Sequence, residues 1–597
     1  MSLTNQEKQN LIAQWAFDTR PILGRFHLWL DNVEIEWIKG ENVKEFTRNI
    51  SFLNGSIERQ FALMGAVTAL GTKVFGDFGK GKGLDRKGLN EAKKNSDAIS
   101  AYVMSEGLWY LSRQLPENHA IMVSLGEGLM PKAGETPEMG SNPQLGFGRV
   151  YARPEVAKML DSLVLKLLND KNYGWEEFYS ELKIKGVTIW GAAIDTLENT
   201  SRFAKGSETG AMTILHLFDQ PLQITRPYEG YVGNIFLPKE VVKKGEEMSV
   251  LLNFRTPRKK IVEVIEDTYP GIKHENIHVW TLRGESRAAR IGELWKEWKD
   301  LGVNLIDDEW ELPSGMKAFT DSGTYAPVYS IKAWKDTNDE MHIFLCDGYA
   351  ASAEAVQAAS LSPVLDIEAF LNIFTSTFKL PYKKEQNIMS LDIQDDDFIN
   401  KLTSILGEKP KTEKVEEYRE AILEGIEAQI PIQKGSINAD DFFPEKKWDV
   451  LAISGFMCPD PYSGNAGVKK VSEGIYEVTV RLASSSGEKK IVFTLSMMET
   501  FDESRLVFSP LLNRFMAGED YKGRPVKISD SGRIRNELQT LCSEALEFTG
   551  GENIVLNFSD ISSNVIPEDK KLILSEILEW YVKEHPIWFG WLKLRNG

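Results

Sequence analysis

Three stretches of this sequence set arginine beside small hydroxyl residues: Asn253-Phe254-Arg255-Thr256-Pro257-Arg258, Thr281-Leu282-Arg283-Gly284-Glu285-Ser286-Arg287 and Cys346-Asp347-Gly348-Tyr349-Ala350-Ala351-Ser352. Arg255, Arg283 and Arg287 each carry a planar guanidinium that matches a phosphate or carboxylate two bonds at a time. Thr256, Ser286 and Ser352 add hydroxyls, although the same residues serve equally as helix caps. Together this is chemistry for holding a small anion. Open α/β sheets bind such ligands beyond the carboxyl ends of their strands, where helix N-termini present unpaired N–H groups and a positive dipole end. The three stretches fall at such ends if each follows a strand. Their serine- and threonine-bearing turns resemble the strand-to-helix loops of phosphosugar-binding isomerase domains, without a motif specific enough to carry residue roles over.

Carboxylates for proton transfer lie nearby in sequence. Asp321, Asp347 and Glu285 are the candidate acid/base groups. The acidic run Asp307-Asp308-Glu309 could hold Mg²⁺, but acidic surface loops are common and no metal site is assigned. A second polar stretch, Thr225 to Asn234, contains Arg226 and Tyr228, which could line a pocket with the ring stacked on a ligand or simply form a turn. The seven histidines form no HxH or HExxH pattern, which argues against zinc, and His119 and His216 are the two worth testing as acid/base groups. Cys458 has no partner base in its neighbourhood and reads as a spectator thiol. Gly76 to Gly83 lacks the Gly-Lys-Ser/Thr ending of a phosphate loop, and neither GxSxG nor a GxGxxG after a strand occurs.

The elements that must position these groups are clearest between residues 248 and 360. Apolar runs at Met248–Phe254, Ile277–Leu282 and Val303–Ile306 alternate with helical spacing at Arg258–Thr268 and Glu285–Leu301, a β-α-β-α-β pattern. In the second helix Ala288, Ile291, Leu294, Trp295 and Trp298 share one face. A run at His342–Cys346 then precedes an alanine-rich helix over 351–359. The expected fold is α/β and multi-domain: a helical region over 1–118, an α/β region over 119–245, a central open, mostly parallel sheet with helices on its faces over 246–395, a helical linker over 396–440, and a C-terminal α+β domain over 441–597. The second region contains a Gly/Pro-rich loop, 126–153, of the kind that serves as a lid or an assembly surface. The last carries an antiparallel hairpin of Ile475–Leu482 with Ile491–Met497, then a helix near 533–548, a strand at 554–558 and a helix from Pro567.

Composition sets the outer bounds. A chain of 597 residues exceeds the size of one hydrophobic core. With 42% apolar and 26% charged residues it should fold throughout. A formal net charge of -17 disfavours nucleic acid or an anionic membrane as partner. Three scattered cysteines fit a reducing, cytoplasmic setting, and no apolar run approaches the roughly 18 residues of a membrane span. The resulting expectation is a soluble enzyme of isomerase, lyase or transferase type acting on a small anionic metabolite such as a sugar phosphate. The sequence leaves the cofactor open, and a homo-oligomer is compatible with it. The competing expectations are a non-catalytic assembly protein and a metabolite-binding regulator.

Overall fold

The computed structural model describes residues 26–39, 56–112, 115–126, 145, 150–170, 172–221, 231–312, 315, 317–321, 323, 325–373, 380–427, 439–443, 447–484 and 487–499. Arg226, Tyr228, most of the Gly/Pro-rich loop and the elements expected beyond 499 lie outside the described residues.

Strands buried along nearly their whole length, as expected where both faces of a sheet are covered, build much of two mixed sheets. The first takes β1 (Phe26–Lys39), β2 (His119–Gly126), β3 (Val150–Tyr151), β4 (Thr188–Glu198) and β5 (Met212–Phe218) from the first half of the chain. The second takes β6 (Tyr231–Pro238), β7 (Ile277–Trp280), β8 (Asn304–Leu305), β9 (Lys332–Lys335), β10 (Met341–Ala351) and β11 (Ile367–Ile373). The chain then returns to the first sheet with β12 (Val450–Phe456), β13 (Val468–Ser472), β14 (Ile475–Ser484) and β15 (Gly487–Glu499). The first sheet runs β1-β15-β14-β12-β5-β4-β2-β3, with β13 beside β14. Its β2–β4 pair is parallel and its other pairs are antiparallel. The second runs β11-β6-β10-β7-β8, with β9 beside β10. There β10, β7 and β8 are parallel while β6, β9 and β11 run against their neighbours.

The fold is therefore mixed α/β, and the expectation of a mostly parallel central sheet gives way to two sheets of mixed sense. The hairpin of β14 and β15 forms as its alternation predicts. It does not found a separate layer, because β12 pairs with β5 and β15 with β1, so residues 450–499 complete a sheet begun before residue 220.

The two faces of the first sheet bury different partners. Leu215, Leu217, Ile453 and Val480 point to the side covered by α1 (Ser56–Phe75) and α2 (Arg86–Ser112). Helix α1 lies directly on β12: a Cβ on Gly455 would stand 2.2 Å from the Gly65 carbonyl oxygen. Ile214, Phe218, Val450 and Ala452 point the other way, into a core shared with the second sheet. At the β2 edge, α3 (Pro154–Asn169) and α4 (Trp175–Lys185) close a smaller core with Leu160, Trp175 and Phe178. A short helix, α5 (Thr200–Ala204), follows β4.

Helices α6 (Lys239–Glu247), α7 (Arg258–Thr268) and α8 (Glu285–Asp300) cover the second sheet. The α7 and α8 spans follow the sequence periodicity. Ile291, Leu294 and Trp298 of α8 are fully buried, each stabilising by about 1.5–3 kcal/mol, whereas Ala288 is exposed. A short turn, α9 (Tyr325–Val328), leads towards α10 (Ser352–Ala359), which packs against β4 on one side and β6, β10 and β11 on the other. Its alanines at 353, 355, 358 and 359 are all buried, and such small side chains let a helix fit between two sheets. Finally α11 (Tyr382–Met389), α12 (Phe398–Leu406) and α13 (Thr412–Glu427) share a core of their own, tied to α8 by the buried pair Arg290–Glu385. Among the described residues no helix is long and apolar enough to cross a membrane.

Two local expectations are corrected here. Met248–Phe254 is not a strand. Ser249 sits at φ 56, and the Thr256 hydroxyl donates to the Leu251 carbonyl at 2.6 Å while accepting from the Asn253 N–H at 2.9 Å. These side-chain bonds curl the segment and take the place of ladder bonds. Nor does the chain turn after Cys346. Residues 346–351 continue β10, because β6 offers an antiparallel partner all the way to Ala351.

Candidate functional site

Strand β7 ends at Trp280, a fully buried residue whose indole N–H donates to the Phe319 carbonyl at 3.1 Å. Three residues on, the Arg283 N–H donates to the Thr320 carbonyl at 2.8 Å, so segment 319–321 is pinned against the carboxyl end of β7. Gly284, at φ 130, then turns the chain into α8, a conformation that L side chains rarely adopt. The first N–H groups of a helix have no partner within it, so this turn carries donors and a positive dipole end.

The polar groups gathered at this rim are of both signs. The Arg283 guanidinium gives Nη2 to the Leu305 carbonyl at 2.9 Å and Nη1 to Asp307. Arg283 is only 14% exposed, while Asp307 is 78% exposed. Arg287 Nη1 donates to the Arg283 carbonyl at 2.8 Å, placing a second guanidinium alongside. Asp308 holds segment 319–321 by accepting the Thr320 N–H at 2.6 Å and its hydroxyl at 2.7 Å. Asp321 pairs with Arg202 at 3.2 Å, and the Arg202 guanidinium lies 4.1 Å from the centre of the Phe319 ring.

Of the residues singled out in the sequence, Arg283, Arg287 and Asp321 are thus brought together. Glu285 and Ser286 begin α8 and Ser352 begins α10, but their side chains lie outside the described residues. Arg255 stands exposed on the turn before α7. Asp347 is corrected from a strand-end acid to a mid-strand residue with no exposure. Arg258 Nε and Nη2 grip its two oxygens at 2.8 and 2.9 Å, and the Trp298 indole donates at 2.6 Å. Burial pushes the Asp347 carboxyl up while Arg258 and Trp298 pull against that shift. With both oxygens occupied inside the core, Asp347 fastens α7 and α8 to the sheet and cannot reach a ligand. The expected meeting of three turns therefore reduces to the one after Leu282.

Sequence reasoning missed Arg202 and Thr320. Arg202 is 119 positions from Asp321, and only the packing of the two sheets joins them. The sole local signal is the hydroxyl-rich helix start Thr200-Ser201 that precedes it.

A second polar cluster lies between the sheets. His216 of β5 has Nδ1 2.6 Å from the Ser360 hydroxyl and Nε2 2.9 Å from the Tyr325 hydroxyl. Tyr325 in turn meets Tyr329 at 2.9 Å and Ser454 of β12 at 2.8 Å. The Arg481 guanidinium covers the Tyr329 ring at 3.7 Å and pairs with Glu488. Burial pushes the His216 imidazole down to about 3, so it is neutral, and drives the Tyr325 phenol well up. With both ring nitrogens bonded, His216 acts as a fastener between layers. The other histidine of interest, His119, accepts from the Trp190 indole at 3.2 Å. Cys458, which lacked a sequence partner, receives Lys73 Nζ at 3.2 Å, and burial raises its thiol.

No protein-family model matches this sequence, and no curated protein matches it either.

Proposed function

We propose that this chain binds a small anionic metabolite of the sugar-phosphate kind at the carboxyl end of β7, against the first turn of α8, and acts on it by proton transfer through Asp321. The observation that carries the reading is Arg283: a guanidinium largely withdrawn from water whose Nη1 is bonded to Asp307, a carboxylate that stands mostly in water. Water screens the Asp307 side of the pair, so an incoming phosphate or carboxylate can take its place on Arg283. The remaining Arg283 bond, to Leu305, would keep the guanidinium aimed while the exchange takes place. Arg287 and the first N–H groups of α8 supply further positive charge. Asp321, exposed and held among the described residues by a single bond to Arg202, is the carboxylate placed to approach the substrate.

Thermal denaturation in the presence of a panel of phosphorylated sugars tests the reading. At least one compound should raise the melting temperature of the wild type, and the double variant Arg283→Ala/Arg287→Ala should lose that rise. A panel without effect, or a double variant that responds like the wild type, rejects the site. Asp321→Asn separates turnover from binding: it should keep the thermal response and abolish conversion of the stabilising compound.

A further inference from the structure

The opposite end of β7 carries a second constellation. Strands β9 and β10 form a hairpin closed by a turn in which Asp336 Oδ1 accepts the N–H groups of Asn338 and Glu340, each at 2.9 Å. Glu340 and His342 are two residues apart and therefore project to the same side of the hairpin. One ligand atom from each of Asp336, Glu340 and His342 lies within 4.8 Å of those of the other two.

His342 is held more firmly than a surface histidine. Its ring stacks on His278 with centroids 5.2 Å apart and planes inclined by 9°, and on Trp334 at 5.4 Å and 18°. Its Nδ1 lies 2.9 Å from His278 Nε2, and His278 Nδ1 lies 2.8 Å from the Asn304 amide. His342 Nε2, by contrast, is buried and has no hydrogen-bond partner among the described residues. A carboxylate oxygen of Asp336 stands 3.7 Å away, beyond hydrogen-bonding reach.

We propose that Asp336, Glu340 and His342 form a binding site for a divalent transition-metal ion of the zinc or manganese class, with His342 ligating through Nε2. Two ligands on a tetrahedral ion, each about 2.0–2.2 Å from it, stand roughly 3.4 Å apart, close to the Asp336–His342 separation and longer than a hydrogen bond. One imidazole with two carboxylates suits such ions, and three protein ligands leave a coordination position to water. A histidine that binds metal through one nitrogen donates its other N–H to an orienting partner. The row His342–His278–Asn304 provides that partner: His342 Nδ1–H donates to His278 Nε2, and His278 Nδ1–H donates to the Asn304 amide oxygen once that amide is turned. Lys273, now bonded to Glu340, is half-exposed and can withdraw into solvent when the ion enters.

Full-length protein stripped with chelator and dialysed should bind Zn²⁺ or Mn²⁺ in isothermal titration calorimetry with a stoichiometry that falls by one equivalent, or an affinity that falls by about tenfold or more, in His342→Gln. Glu340→Gln, at the exposed turn, keeps the test valid should the His342 variant not fold, and should weaken binding similarly. A Co²⁺-loaded sample should show visible absorption bands that change in His278→Gln, which alters the orienting partner and leaves the ligands in place. The site is overturned if neither ion binds, or if His342→Gln and Glu340→Gln bind both ions as the wild type does.

Discussion

Asp347 and Asp321 are both carboxylates paired with arginine, in surroundings that differ in almost every respect. Asp347 lies inside the second layer, with both oxygens gripped by Arg258 and a third bond from Trp298. Asp321 stands on the rim, 44% exposed, with one 3.2 Å bond to Arg202. The difference between them is desolvation. Inside, each charge needs the other, and removing one partner strands the second in a medium that cannot solvate it. At the rim water screens the carboxylate, so the bond contributes little and a ligand can take the carboxylate's place. The same contrast separates the interlayer group around His216, closed to water, from Arg283, whose partner Asp307 is mostly in water.

The largest expected effect tests whether the interior is as closed as its geometry implies. His216 titrates near 3 when folded and near 6.5 when unfolded, so its neutral form adds stability that is fully present above pH 6.5 and is lost as pH falls towards 3. The loss is on the order of 5 kcal/mol. Denaturation by urea across that range should show wild type losing its advantage over His216→Gln as pH falls. A constant gap would mean that His216 is reached by water.

Arg258→Ala comes next. It leaves Asp347 buried and uncompensated and should cost about 3–5 kcal/mol at pH 7 in chemical denaturation, whereas Arg258→Met/Asp347→Leu should recover much of that loss. A loss below about 1 kcal/mol for the single variant would place Asp347 with the rim carboxylates and erase the comparison. The smallest expected change in stability belongs to the rim itself. Asp321→Asn and Arg202→Gln should each shift stability by less than about 1 kcal/mol.

How legible the molecule was in its sequence follows from the same contrast between local and distant causes. The helices α7 and α8 and the β14–β15 hairpin are written in local periodicity and form where it places them. Met248–Phe254 has the apolar content of a strand because Leu252 and Phe254 are buried, but its path is set by the hydroxyl of Thr256 and the amide of Asn253. Asp347 looked like the end of a strand because a charge and a glycine follow an apolar run. The strand continues through both because Arg258, 89 positions away, neutralises the charge, and because Gly348 lets Thr281 approach: a Cβ there would stand 2.9 Å from the Thr281 hydroxyl. The rim was half legible. Arg283 and Arg287 follow from the strand-to-helix pattern around Gly284, whereas Arg202 and Thr320 arrive by packing between segments that share no local signal.

The most direct test of the exchangeable rim is calorimetric titration of a stabilising phosphorylated sugar into wild type, Arg283→Ala and Asp307→Asn. If Asp307 occupies the place of the ligand on Arg283, removing its charge should tighten binding several-fold, while Arg283→Ala should weaken it by about tenfold or more, some 1.4 kcal/mol. Unchanged affinity in both variants would contradict the account.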